Sequence, residues 1–89
     1  MTPSIMQDDE VCFVSGCRGQ LDRHHVFHGI RRKAADRWGC WVWLRHDIHM
    51  RLHDSDKALD RALEAECQRE FERRYGHEKF MEVFGKSYL

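Results

Sequence analysis

Six of the chain's seven histidines fall between Leu21 and Asp54, at positions 24, 25, 28, 46, 49 and 53. Imidazole nitrogen is a good ligand for divalent metals such as Zn²⁺. His49 and His53 are four residues apart, so on a helix they sit one turn apart on the same face and can point at one ion. A third ligand from a strand leaves coordination positions open for water or substrate, as a catalytic metal requires. His24 or His25 is a candidate for that third ligand. Adjacent residues on a strand point to opposite faces, so one of the pair can hold metal while the other does separate work. The helix lacks the glutamate of an HExxH metalloprotease, because Met50, Arg51 and Leu52 follow His49.

The same stretch is basic. Net charge is zero, from 15 Lys and Arg against 15 Asp and Glu, but residues 18–53 carry a clear excess of arginine and lysine. A polyanion responds to that local patch and not to the sum. Arg31-Arg32-Lys33 follows the histidine pair, and Arg23, Arg31, Arg32, Lys33 and Arg51 are the candidates for phosphate contacts. No element suited to reading bases is evident, so weak sequence preference is expected on DNA.

The elements that must position these residues follow from pattern. Eighty-nine residues make one domain over 1–89, and a chain this short buries only about 60–65% of its unfolded surface. Residues 1–9 are expected to form a loose lead-in. Glu10–Val14 and Leu21–Phe27 are β-prone around a glycine-containing turn, which predicts a short N-terminal β-hairpin. Residues 30–38 read as a helical turn or ordered loop. Cys40–Leu44 (CWVWL) is the clearest strand. His46–Asp54 has no breaker and is expected to be helical. Leu59, Leu63, Cys67, Phe71 and Tyr75 recur every four residues, which predicts one long helix over 56–75, with Asp54 or Ser55 as its cap. A short final helix over 78–84 has Phe80, Met81 and Phe84 as its apolar face. Trp38, Trp41 and Trp43 read as core against the long helix. The fold class is therefore α+β.

No apolar run approaches the roughly 20 residues that span a membrane. The stretch MTPSIMQDDE lacks the basic start and apolar run of a signal peptide, so a cytoplasmic location is expected, with Cys12, Cys17, Cys40 and Cys67 as reduced thiols. Only Cys12 and Cys17 are close in sequence, which is poor spacing for a four-cysteine zinc site.

With LDRHHVF, CWVWL and the helix bearing His49 and His53 in place, the chain resembles the HNH endonucleases and their ββα-metal motif. It is most similar to the small stand-alone HNH proteins of phages and prophages, from EVCFVSG through GHEKFMEVFGKSYL. The resemblance implies a metal-dependent endonuclease that hydrolyses phosphodiester bonds in DNA. It implies His25 as the general base that activates water, and His24, His49 and His53 as ligands of one divalent ion, whether Zn²⁺, Ni²⁺, Mg²⁺ or Mn²⁺. Histidine's ordinary pKa of about 6.5 suits the base. It also implies a phage- or prophage-encoded protein, with a second copy of itself or phage packaging or recombination proteins as possible partners. Two features depart from the family. Cys40 stands about where the middle Asn of H-N-H is expected, so something else must order the loop. Many relatives carry two CxxC pairs on a structural zinc, whereas here Ser15 follows Cys12 and Arg45 follows the second strand. No four-cysteine zinc is expected, and Cys12 and Cys17 should pack or stay free. The rival readings are a non-catalytic metal-stabilised DNA-binding module and an inactive nuclease-like subunit. His28 and His46 carry no assigned role.

Overall fold

A computed structural model describes residues 2–89 of the chain; Met1, the first residue of the expected lead-in, lies outside the described residues. The fold is mixed α+β, with a two-stranded antiparallel sheet and four helices. Strand β1 is Leu21–His25. A single 3-10 turn at Gly29–Arg31 leads into α1, Arg32–Arg37. Strand β2 is Trp41–Arg45, followed by α2, His46–Asp54, then α3, Lys57–Tyr75, and α4, His77–Phe84. Among the described residues no helix is long and apolar enough to cross a membrane.

The predicted N-terminal hairpin is corrected by this topology. β1 pairs with β2, in the register His24 opposite Val42 and His25 opposite Trp41. Residues 10–14 form no strand because the chain closes on itself there. Cys12 N donates to Cys17 O at 2.8 Å, and Gly16 N to Cys12 O at 2.8 Å. This knuckle docks on the outer edge of β2, where Phe13 N donates to Trp43 O at 2.8 Å. β1 also ends at His25, two residues earlier than expected, and Val26 and Phe27 turn into the core.

The lead-in is docked along residues 2–7 and not loose. Ile5 is buried and its N–H donates to Gly39 O at 2.9 Å. The Ser4 hydroxyl donates to Trp41 O, Trp41 Nε1 donates to Thr2 O at 2.8 Å, and Gln7 Oε1 accepts from Trp43 N at 2.7 Å. These groups satisfy the edge of β2 that a third strand would otherwise cover. The approach depends on Gly39. Its φ is +74°, and a Cβ there would lie 2.3 Å from the Pro3 carbonyl oxygen. The tryptophans are accordingly divided. Trp38 packs on Phe71 and Tyr75 of α3, whereas Trp41 and Trp43 pack edge-to-face on each other beneath the N-terminal segment.

The core lies between the other face of the sheet and α2 to α4. Val42 and Leu44 meet Ile48, Leu52, Leu63 and Phe71, with Cys40 and Cys67 fully buried. A hydrogen bond to Cys40, reinforced by burial, pushes the Cys67 thiol far up and keeps it protonated. α3 starts one residue later than predicted, because Asp56 is the cap and its carboxylate accepts from Leu59 N at 3.0 Å. α4 closes the core with Phe80 and Phe84 against Phe27, whose ring lies 5.5 and 4.7 Å from theirs. Phe27 is fully buried at the start of the loop that carries His28, so truncating it opens a cavity where the site's scaffold meets the terminal helix. Phe27→Ala is expected to cost about 3–5 kcal/mol, measured by urea unfolding against the native chain.

Candidate metal centre

The pleat of β1 puts Asp22 and His24 on its inner face and Arg23 and His25 on the other. α2 then brings His49 and His53 up one turn apart beneath that inner face. The three predicted ligands converge: ligand atoms of His24, His49 and His53 all lie within 4.8 Å of one another. His49 Nε2 and His53 Nε2 are 3.0 Å apart. Two nitrogens bound to one ion at about 2.1 Å would be separated by roughly 3.0–3.4 Å for angles of 90–109°. The pair is therefore already at ligand spacing.

His24 is 1% exposed, and its Nε2 is buried with no hydrogen-bond partner. Burial, helped by the neighbouring His49, His28 and His53, lowers its pKa to about 3. The ring is neutral at ordinary pH and its nitrogen is available as a ligand. Burial, with the charge of His49, also lowers the pKa of His53. A buried imidazole with an orphaned nitrogen, clustered with two others, is what a divalent ion of the zinc type would satisfy, so the residues fit such a group.

Asp22 completes the arrangement. Its Oδ2 accepts from His49 Nδ1 at 2.9 Å and from His46 Nδ1 at 2.8 Å. The bond from His49, joined by that from His46, lowers the Asp22 pKa despite some desolvation. An ionised carboxylate only accepts, so the proton of His49 is held on Nδ1 and Nε2 keeps its lone pair. His46, without a role in the sequence, is thereby a second donor to the same oxygen. Asp22 was legible in principle, since it lies two residues before His24 on one strand face.

His25 lies outside the ligand triad but lines the same cavity, of about 260 Å³, as His24, His28, His49 and His53. Its Nε2 donates to Asp36 Oδ1 at 3.0 Å, and Arg32 Nε donates to its Nδ1 at 3.4 Å. The bond from His25 is the main reason the Asp36 carboxyl sits below its usual range, with the Arg23 charge adding to it. Asp36 comes from α1, and nothing in the local sequence pairs it with His25.

The basic residues divide into two groups. Arg23 donates to Asp36 at 2.7 Å and stacks over Trp41 at 4.4 Å. Arg31 Nε donates to Phe84 O at 2.8 Å, which ties the loop to α4. These two are engaged by the fold. Arg32 and Lys33 are exposed and, with Arg37 and His25, line an open cleft of about 620 Å³ beside the histidine cavity. Arg51 is exposed on α2 and does not line either cavity.

The loop between the strands is ordered without an asparagine. Val26 N donates to Cys40 O at 3.0 Å and Cys40 N to Ala35 O at 2.8 Å, so the Cys40 backbone clamps both ends. His28 Nε2 bonds Asp60 Oδ1 of α3 at 2.8 Å. All four cysteines are free. Cys12, Cys40 and Cys67 are buried and Cys17 is exposed.

The chain matches no family model, and no curated protein or solved structure matches it. Asp22→Asn should weaken Zn²⁺ binding by about 10–100-fold through loss of His49 orientation, with the far-UV circular dichroism unchanged. Titration calorimetry measures the first and spectroscopy the second.

Proposed function

We propose that the chain is a metal-dependent endonuclease of the HNH type, in which β1, β2 and α2 form a ββα-metal unit that hydrolyses phosphodiester bonds in DNA. One observation carries the reading. Two adjacent histidines on opposite faces of one strand both border the same cavity, His24 buried with a free nitrogen beside His49 and His53, and His25 held away from them by Asp36. A purely structural metal site has no need of the second histidine or its carboxylate.

His24, His49 and His53 would hold the ion. A bound divalent ion would polarise a phosphate oxygen and offset the charge that develops on the leaving 3′ oxygen. The remaining steps belong to the chain. Asp36 fixes the His25 proton on Nε2, which makes Nδ1 the basic atom. Arg32 occupies that atom at 3.4 Å, a long bond from an exposed side chain. When Arg32 moves to a phosphate, Nδ1 is free to take a proton from water. The resulting imidazolium is stabilised by the ionised Asp36. Arg32, Lys33 and Arg37 supply the positive wall along which a DNA backbone would lie, and their contacts to phosphate carry no sequence information.

The test is plasmid cleavage with Mg²⁺, Mn²⁺, Ni²⁺ and Zn²⁺ by the native chain and by His25→Ala. The native chain is expected to cut. His25→Ala should keep its metal and DNA affinity and lose roughly 10²–10⁴-fold in rate. If both proteins bind DNA and metal and neither cuts with any ion, the non-catalytic binding module replaces this reading.

A further inference from the structure

The three-histidine centre leaves one imidazole of the cavity wall unused. His28 follows β1 directly before Gly29, where φ of +64° turns the chain toward α1. Its ring centroid lies 5.3 Å from that of His24 and 6.0 Å from that of His53. On its other side, its Nε2 meets Asp60 Oδ1 at 2.8 Å, across 32 positions of sequence. The ligand atoms of His24, His28 and Asp60 also lie within 4.8 Å of one another. His24, whose buried Nε2 has no hydrogen-bond partner, thus belongs to two complete ligand sets, one of three imidazoles and one of two imidazoles and a carboxylate.

We propose that His24, His28 and Asp60 form a second coordination site, for a divalent cation that favours an oxygen ligand such as Mn²⁺, that the cation displaces the proton shared by His28 and Asp60 to solvent, and that the site is an alternative to the three-histidine site. A neutral His24 ring offers a single lone pair, so one chain holds one ion at a time. Three imidazoles suit Zn²⁺ or Ni²⁺, and a carboxylate in the set shifts preference toward harder ions. The two sites also differ in what they tie together. His49 and His53 join the ion to α2, whereas Asp60 joins it to the first turn of α3.

The test uses metal binding alone, so it is decided separately from whether the chain cuts DNA. Mn²⁺ and Zn²⁺ are titrated into the metal-free full-length chain by calorimetry, with the electron spin resonance of free Mn²⁺ as a second readout. Asp60→Ala and His28→Ala should each weaken Mn²⁺ by roughly tenfold or more and leave Zn²⁺ unchanged. The double variant His49→Ala, His53→Ala should do the reverse, and the native chain should bind one ion of either kind. Circular dichroism checks that each variant is folded, and both His28 and Asp60 are partly exposed, so their truncation does not open the core. The proposal is overturned if the native chain does not bind Mn²⁺, if it binds two ions at once, or if folded Asp60→Ala and His28→Ala bind Mn²⁺ as the native chain does. It is also overturned if both ions weaken together, which would make His28 a fourth ligand of the first site.

Discussion

Burying a polar atom without a partner costs about 1–3 kcal/mol, and His24 Nε2 is such an atom. The cost is accepted at the centre of a two-stranded sheet whose partner residue, Val42, is fully buried. Protonation would not relieve it, because four more imidazoles line the cavity and the ring stays neutral down to a pH of about 3. Water or a cation can satisfy the atom, and the surrounding nitrogens at ligand spacing favour the cation. The other parts of the molecule are arranged around that nitrogen. β1 carries it, α2 supplies two neighbours, and α3 supplies the carboxylate that holds a third.

Three aspartates set the states of the histidines, each from a different element. Asp22 of β1 orients His49, Asp36 of α1 orients His25, and Asp60 of α3 orients His28. An ionised carboxylate forces the proton onto the nitrogen that faces it, and the opposite nitrogen keeps its lone pair. Identical side chains thereby acquire different chemistry. His49 presents a ligand atom toward His53, and His25 presents a basic atom toward Arg32.

The positive charge that the sequence concentrates in residues 18–53 is only partly free to meet a partner. Arg23 is committed to Asp36 and Trp41, Arg31 to the end of α4, and Arg45 pairs with Asp47 at 3.3 Å. The exposed cations of the cleft are Arg32, Lys33 and Arg37. A surface built this way attracts phosphate over a short length, and its attraction falls as salt rises.

The local pattern in the sequence determined the α+β class, the strand at CWVWL, the helical spacing of His49 and His53, and the four-residue stripe of α3. Each follows from periodicity over a few neighbouring residues, where side-chain direction is set by the backbone itself. It also separated His24 from His25, because adjacent strand residues cannot face the same way. Tertiary structure decided which strands pair. Residues 10–14 have strand propensity, but the Cys12–Cys17 knuckle uses their backbone groups and β1 takes β2 as its partner. It decided that the N-terminal segment seals the β2 edge, an outcome that depends on the close approach at Gly39. It also placed Asp36 against His25 and Asp60 against His28, across 11 and 32 positions. No spacing rule covers such contacts, because they exist only once α1 and α3 have packed against the end of β1.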